Sequence, residues 1–240
     1  MTRVPVPLEG TVDHDVDDDF EGMEPGGLVT NWNVYTGVWN PVAVVKDAGN
    51  RVLRLEDQDP WDYATATRVF PETTKARVSL DVRLEQAGHD NLEIEIQSAR
   101  GERPVRIILV GKDGVIVAHE GTKPDGVAPL AVGSWVHLDI DVDTITGAYD
   151  LSVDGSRVVE AAAFAEPLDN EASPYESGFE APTVERVTFR TGIYRGQDFS
   201  RYGWHANGFK KYEPDLPGAD EPVSRTVIDL DNVKTETARP

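Results

Sequence analysis

An alternation of apolar and polar residues across positions 134–155 constrains the fold more than any other feature of this sequence. This period of two is that of a β-strand with one buried face, because successive side chains point to opposite sides of a sheet. A turn over residues 144–147 separates two such strands, and Asp154 with Gly155 predicts a second turn. The apolar members of the alternation are Leu138, Ile140, Val142, Tyr149, Leu151 and Val153.

The same pattern continues along most of the chain, where turn residues separate short apolar segments. Residues 158–166 are alanine-rich and helix-compatible, but this stretch is too short for a helical layer. The sequence therefore predicts an all-β fold, an antiparallel two-sheet β-sandwich. Residues 1–12, which include Pro5 and Pro7, are expected to be an extended linker, and residues 13–240 a single domain. Further strands are predicted over residues 38–45, 51–56, 64–70, 77–85, 92–97, 105–110, 115–119, 187–194 and 226–234.

Charge and composition restrict the classes of partner. The chain carries 43 acidic and 23 basic residues, a formal net charge of −20 at pH 7. Nucleic acids and anionic membranes would be repelled, so we expect neither as a partner and favour neutral or weakly charged ligands. The sequence has no cysteine, which excludes disulfides and thiolate chemistry. It also lacks an apolar run long enough to span a membrane and the apolar core of a signal peptide, so any export signal is expected to have been removed.

Several motifs in order resemble one family. The segment DDDFEG at 17–22, Trp32, the tripeptide Gly133-Ser134-Trp135 and residues 147–155 resemble a concanavalin A-like, laminin-G-like jelly roll. The segments 189–196 and 215–220 are similar to jelly rolls appended to bacterial polysaccharide-degrading enzymes. This resemblance implies a carbohydrate-binding or accessory module that binds a polysaccharide or oligosaccharide. It also implies a secreted, extracellular or periplasmic system, with a covalently linked catalytic domain on the N-terminal side of the linker.

Acidic residues near both ends of the chain raise the question of calcium. The acidic run at 13–19 mimics EF-hand spacing, but Asp18 occupies the position where that loop requires glycine. In jelly rolls of this kind the first and last strands often share a structural ion, and the resemblance implies Ca²⁺ there. The alternative is that Asp229 and Asp231 belong to the solvated face of a strand. The implied ligands are Glu21, Asp229, Asp231 and Asn232.

Aromatic residues in polar stretches are candidates for stacking on sugar rings. Trp61 and Tyr63 lie in one such stretch, and Trp204 and His205 lie in a second, beyond the 187–194 strand. Arg190 and Tyr194 complete the predicted ligand-binding set, although each aromatic residue could instead anchor its own loop. The remaining tryptophans, Trp32, Trp39 and Trp135, are assigned to the core.

An enzymatic alternative comes from the segment 189–197, which resembles the catalytic strand of jelly-roll alginate-type polysaccharide lyases. The resemblance implies that Tyr194 acts as acid or base in a β-elimination. Arg190 and Gln97 would then neutralise a uronate carboxylate, and His119 or His137 would accept the proton, if one groove holds them together. The segment departs from the lyase motif, since Arg190 stands at a lysine-type position and two other signatures are absent.

A laminarinase-type glycoside hydrolase is the other enzymatic jelly roll. Glu93 and Glu95 invite this comparison, but the segment 92–97 lacks the aspartate and the second glutamate at the required spacing. No serine nucleophile elbow, phosphate-binding loop or histidine-based zinc motif occurs. Three alternatives remain at this point: a carbohydrate-binding or accessory module, a polysaccharide lyase, and a purely structural, calcium-stabilised domain.

Overall fold

The computed structural model describes residues 14–59, 62–168, 182–192 and 222–238. The predicted linker at 1–12 lies outside this part of the chain. The described residues form fifteen strands and contain no helix. In chain order these are β1 (Asp17–Asp18), β2 (Trp32–Tyr35), β3 (Val42–Asp47), β4 (Asn50–Asp57), β5 (Thr65–Thr73), β6 (Lys75–Gln86), β7 (Leu92–Gln97), β8 (Val105–Val110), β9 (Val115–Glu120), β10 (Lys123–Pro129), β11 (Trp135–Asp143), β12 (Ala148–Val153), β13 (Ser156–Ala163), β14 (Val184–Thr191) and β15 (Thr226–Thr237).

The strands form two antiparallel sheets, which confirms the predicted all-β sandwich. The eight-stranded sheet has the order β13-β12-β11-β6-β15-β4-β3, with β1 paired to β15. The seven-stranded sheet has the order β10-β9-β8-β7-β14-β5-β2. Neighbours such as β14 and β7 are far apart in sequence, so long connections cross between the sheets.

The hydrophobic core lies between the two sheets and follows the alternation in the sequence. On β11, Leu138 and Ile140 are fully buried, and Val142 is almost so. Their partners on β6 are Leu80 and Val78, which are fully buried as well. Burying these side chains supplies the main driving force for folding, at roughly 25 cal/mol per Å² of apolar surface.

Two turns match the sequence prediction closely. Asp154 and Gly155 both have positive φ, 49° and 74°, between β12 and β13. This is the backbone of a type I′ hairpin turn, for which Asp-Gly is a favoured pair. Gly114 has a φ of 64° between β8 and β9, after Lys112 and Asp113.

Residues 158–166, which the sequence analysis described as helix-compatible, are not helical in the structure. Much of this stretch belongs to β13, which pairs with β12. Alanine has little side chain with which to resist a strand, so tertiary pairing overrides its helical propensity. Ala161 has a φ of 48°, where the β12–β13 register is irregular. β2 and β10 were not predicted; β10 contains Pro124 and Pro129, and it lies at the edge of its sheet.

The two ends of the described chain lie together. β1 pairs with β15, with Asp17 opposite Lys234. The Asp15 carboxylate accepts a hydrogen bond from Thr237 Oγ1 at 2.8 Å, and the backbone N–H of Val16 donates to Thr235 Oγ1 at 2.8 Å. These contacts hold a short first strand that would otherwise fray. In the described ranges, no helix has the length and apolar character needed to cross a membrane.

Candidate functional site

The outer side of the seven-stranded sheet carries a continuous polar surface, here called the polar face. Directly paired residues on neighbouring strands share a face. One row therefore crosses the sheet from β2 to β8 through Tyr35, Thr65, Arg190, Glu93 and Ile108. Val34 and Phe189, next in sequence to members of this row, point to the opposite side.

A second row lies beside the first on the same face. It runs through Asn33, Thr67, Thr188, Glu95 and Arg106. The hydroxyl groups of Thr67 and Thr188 are hydrogen-bonded across the strands at 3.0 Å. Glu95 and Thr188 are almost completely buried, whereas Asn33 at the sheet edge is exposed. Along these two rows, exposure is therefore greatest at the β2 edge and least at the centre of the sheet.

Ion pairs occupy the centre of the polar face. Arg190 donates to the Glu93 carboxylate, and its guanidinium also lies 3.3 Å from Glu95 Oε1. Arg106 donates to Glu93 Oε1 at 2.5 Å, while Arg103 lies 3.4 Å from Glu95 Oε1. Removal of charged groups from water is offset here because each has an opposite charge beside it.

Burial changes the titration of two members of this face. Burial is the largest cause that raises the pKa of Glu95, and the positive charges of Arg190 and Arg103 oppose it. Burial also disfavours the charged form of His119 and so lowers its pKa, and the nearby Arg106 guanidinium lowers it further. His119 is therefore neutral at pH 7. Its neighbour in sequence, Ala118, points into the core, which places the imidazole on the polar face.

An aromatic pair stands at the β2 edge of this face. The rings of Tyr35 and Tyr63 are 5.5 Å apart between centroids and are inclined by 42°. The Tyr35 hydroxyl donates to Asp62 Oδ2 at 2.7 Å. Tyr35 is 48% exposed and Tyr63 is half-buried. Tyr35, Asp62 and Tyr63, here called the aromatic edge, present rings and a carboxylate together.

The loop that carries Tyr63 is held by buried polar contacts. Asp57 at the end of β4 accepts a hydrogen bond from Thr191 Oγ1, and Thr191 Oγ1 accepts one from the Ala64 N–H at 2.8 Å. The next residue, Gly192, has a φ of +64°, and a β-carbon there would lie 3.3 Å from the Asp62 carbonyl oxygen. The end of β14 therefore fixes the aromatic edge beside Arg190.

The predicted glycan contacts fall into two groups. The structure places Tyr63 and Arg190 on neighbouring parts of the polar face. Trp61, Tyr194, Trp204 and His205 lie outside the described residues, so their roles stay predictions. Sequence reasoning missed Tyr35. The signal available was its place in the alternating stretch 32–35, but its partner Tyr63 is 28 positions away.

The residues of the lyase alternative are divided between the sheets. Gln97, His119 and Arg190 lie on the polar face, where Gln97 Nε2 donates to Glu95 Oε2 at 2.6 Å. His137 lies on the outer side of the eight-stranded sheet, where its Nδ1 is 2.7 Å from Asp81 Oδ1. Of the two histidines, only His119 shares a face with Arg190. Arg190 is already compensated by carboxylates there.

The residues implied in calcium binding have other partners. Asp229 is fully buried, and Arg54 and Arg83 both donate to its carboxylate, at distances from 2.6 Å. Glu21 Oε1 accepts the backbone N–H of Arg51 at 2.7 Å. These contacts use the oxygen atoms that a hard cation would need.

Asp231 and Asn232 lie on β15 at an irregularity of its pairing with β6. Asp231 Oδ2 accepts from Asn50 Nδ2 at 2.7 Å, and Asn232 Nδ2 donates to Asp81 Oδ2 at 2.8 Å. Asn232 has a φ of 50°, where the β15–β6 register shifts. Within the described ranges, no group of three or more histidine, aspartate or glutamate side chains is arranged to hold a metal. The described side chains thus do not form the implied coordination sphere, and calcium stays a prediction.

The core assignment of the tryptophans is wrong for Trp39 and for Trp135. Trp39 is half-buried and does not belong to the hydrophobic core cluster. Trp32 is buried and its indole N–H donates to Asp18 Oδ2 at 2.9 Å. Trp135 is instead 38% exposed on the outer side of the eight-stranded sheet, with the Arg83 guanidinium 4.7 Å from its ring centroid. Its neighbour Val136 takes the inward position. Because successive side chains of a strand point to opposite faces of the sheet, Trp135 cannot point inward as well.

Comparison with known proteins places this fold among carbohydrate-active proteins. The family model described as "Sialidase-like, CBM domain" matches residues 32–198. A sialidase of known structure is 27% identical, with a TM-score of 0.75 over 93% of this chain and 18% of the sialidase chain. The chain therefore spans less than a fifth of that protein. A search of curated proteins gives no match.

Two further structures share the fold at low identity. The cellulose-induced protein Cip1 is 16% identical with a TM-score of 0.55, over 94% of this chain and 98% of its own. An apo Crh5 transglycosylase is 15% identical with a TM-score of 0.61, over 96% of this chain and 87% of its own. The fold and the family match together identify a carbohydrate-binding or accessory module of the jelly-roll class. Since the family model covers more than half of the sequence, the chain belongs to the family of sialidase-like carbohydrate-binding module (CBM) domains.

Proposed function

We propose that the aromatic edge and the adjoining exposed part of the polar face bind a glycan. The observation that carries this proposal is the exposed Tyr35 ring beside Tyr63, with the Asp62 carboxylate bonded to it at 2.7 Å. A sugar ring offers an apolar C–H surface and a rim of hydroxyl groups, so it needs an aromatic face and planar polar groups together.

The exposed polar groups next to the aromatic edge match the second requirement. Asn33 is exposed, and Thr65 and Thr67 are half-buried, in the two rows that lead from Tyr35 towards the sheet centre. Hydroxyl and amide groups both donate and accept hydrogen bonds, which suits sugar hydroxyls. The strands hold these groups in place, so little conformational entropy is lost on binding.

The biological setting is proposed from the comparisons. The chain covers 18% of the similar sialidase, which supports its role as one module covalently linked to a catalytic domain. The family and the glycan-related proteins of similar fold support an extracellular or periplasmic glycan-degrading system. The module would keep the catalytic domain close to its polymeric substrate by raising the effective concentration.

Lyase chemistry has less support than binding. β-Elimination needs a cation or amide aimed at a uronate carboxylate. Arg190 instead pairs with Glu93 and Glu95, and it is only 1% exposed. A lyase also needs the base and the acid in one groove, and Tyr194 is not among the described residues.

The test is affinity electrophoresis through gels that contain a panel of polysaccharides, stained for protein and for polysaccharide. Retardation in an intact gel supports a binding module, and a cleared zone would indicate an enzyme. We expect Tyr35→Ala and Tyr63→Ala each to weaken retardation about tenfold, since one stacked ring contributes about 1.4 kcal/mol.

Trp135→Ala is the matched control for these variants. It removes an exposed aromatic ring from the other sheet, so we expect retardation to be unchanged. Equal loss of retardation in all three variants would contradict the placement of the site at the aromatic edge. The absence of retardation in every gel would contradict the function itself.

A further inference from the structure

We infer that the glycan bound at the polar face is uncharged, and that Glu93 excludes anionic glycans by neutralising the arginines of this face. This inference rests on the proposed glycan-binding function and names the class of its ligand. It is not implied by the similarity to a sialidase, because sialic acid and uronates both carry a carboxylate. Such a group needs a cation that is not already compensated.

Each arginine that the described structure places on or beside this face has a carboxylate partner. Arg190 pairs with Glu93 and Glu95, and Arg103 pairs with Glu95 and with Glu166. Arg186, farther along β14, pairs with its neighbour Glu185. A ligand carboxylate at Arg190 would have to displace Glu93 or Glu95, leaving a buried glutamate uncompensated.

Among the three arginines that pair with Glu93 or Glu95, Arg106 is the one that solvent reaches most. Its side chain is 23% exposed, compared with 2% for Arg190 and 8% for Arg103. Glu93 Oε1 accepts from Arg106 at 2.5 Å and Glu93 Oε2 accepts from Arg190. One carboxylate thus bridges two guanidinium groups, one buried and one within reach of a ligand.

Among the described residues, the remaining groups of the site add no positive charge. Burial lowers the pKa of His119, so its imidazole is neutral at pH 7. Thr65 and Thr67 are uncharged, and the aromatic edge contributes the Asp62 carboxylate. In the described part of the site a ligand therefore meets hydroxyl groups, rings, the Asp62 carboxylate and the Arg106 guanidinium, which Glu93 already compensates.

The charge of the whole chain acts in the same direction. The net charge of −20 produces a negative potential that repels polyanions at low salt, and added salt screens this repulsion. Binding of an uncharged glycan should therefore be almost independent of ionic strength.

The first experiment compares uncharged and anionic polymers by isothermal titration calorimetry at pH 7, in 20 mM and 300 mM NaCl. Barley β-glucan, xyloglucan and galactomannan serve as uncharged probes, and alginate, polygalacturonate and polysialic acid as anionic ones. We expect binding among the uncharged probes that changes less than twofold with salt. Tighter binding of an anionic probe that weakens with salt would overturn the inference and leave the glycan-binding function intact. Failure of every probe to bind would overturn both.

The second experiment removes one negative charge from the site. Glu93→Gln keeps the size of the side chain but leaves Arg106 and Arg190 with less compensation. We expect the affinity for polygalacturonate, relative to that for the bound uncharged probe, to rise at least about threefold in 20 mM NaCl, as for one partly exposed ion pair. Glu160→Gln is the matched control, since it removes one charge from an exposed position on β13.

Asp62→Asn provides a second test of charge at this face, which does not depend on whether the Glu93 variant folds. Asp62 lies at the sheet edge, and the amide oxygen of asparagine can still accept from the Tyr35 hydroxyl. We expect the same rise in relative affinity for polygalacturonate, which salt should abolish. An unchanged ratio in folded Glu93→Gln and Asp62→Asn proteins would overturn the role of charge at this face.

Discussion

The buried carboxyl group of Asp57 should make the stability of this protein depend on pH in a direction opposite to that of most carboxylates. Asp57 is fully buried at the end of β4, where it accepts from Thr191 Oγ1 and, at 2.8 Å, from the Asp59 N–H. Burial is the largest cause that raises the pKa of Asp57 from its ordinary value of 3.8 to about 7, and Asp90 adds to the rise. The bond from Thr191 opposes it.

The direction of this pH dependence follows from the number of protons that the folded and unfolded states bind. Between pH 4 and pH 7 the folded protein holds a proton on Asp57 that the unfolded chain has released. The free energy of unfolding must therefore fall as the pH rises through this range and level off above it. At about 1.4 kcal/mol per pKa unit, the full shift corresponds to about 4 kcal/mol, of which about 3 kcal/mol is lost above pH 5.

Asp57→Asn removes the titration and preserves the hydrogen bonds. The amide oxygen can accept from the Asp59 N–H, and Nδ2 can donate to Thr191 Oγ1. Thr191 can then direct its own hydroxyl to the Ala64 carbonyl, 3.4 Å away. The variant should be more stable than the parent at pH 8.5, and its advantage should grow by about 3 kcal/mol between pH 5 and pH 8.5.

The assay is urea unfolding, followed by tryptophan fluorescence, at intervals between pH 5 and pH 8.5. This range avoids the sequence pI of about 4.5, where low net charge promotes association. Other titrating groups, such as Glu95, act alike in both proteins and cancel in the difference. Asp59→Asn is the control. Its charge is the smallest of the causes that raise the pKa of Asp57, so this variant should keep most of the pH dependence. A difference between the Asp57 variant and the parent that is constant across the pH range would refute the reasoning.

Three further perturbations test other parts of the structure by urea unfolding. Asp229→Asn withdraws a fully buried carboxylate from two arginines and should lower the unfolding free energy by about 3 kcal/mol; a loss under 1 kcal/mol would contradict this. The hydrogen bond to Asp81 raises the pKa of His137, so this pair stabilises the fold fully below pH 6.5 and loses that effect as the pH rises through the raised pKa. His137→Gln should therefore cost more at pH 5.5 than at pH 8.5, by less than about 1 kcal/mol because the ring is partly exposed; a pH-independent cost would argue against the pair. Gly155→Ala should cost about 1 to 2 kcal/mol because φ is +74°, whereas Gly22→Ala, with no contact within 4 Å of the added carbon, should cost less; equal costs would remove the backbone explanation.

Much of the site lies on strands that the sequence identified, but its contacts depend on pairing that the sequence did not specify. The alternation of side chains along this strand predicted that Arg190 and Phe189 point to opposite faces of the sheet, and Phe189 is buried in the core. The identity of the partners of Arg190, Glu93 and Glu95, depended on β14 lying next to β7, about 90 residues away along the chain. Tyr35 and Tyr63 meet only because β2 and the loop before β5 lie at the same sheet edge.

The sequence by itself determined the class of fold, most strands, the turns at Gly114 and Gly155, and the net charge of −20. These properties are local or additive, since the period of two and the turn residues act over a few positions. Tertiary structure decided that residues 156–163 form a strand, that Trp135 is exposed, and that the arginines of the polar face are compensated. Each of these depends on which strand lies alongside, and long-range packing sets that choice because the same alternating pattern fits many neighbours equally well.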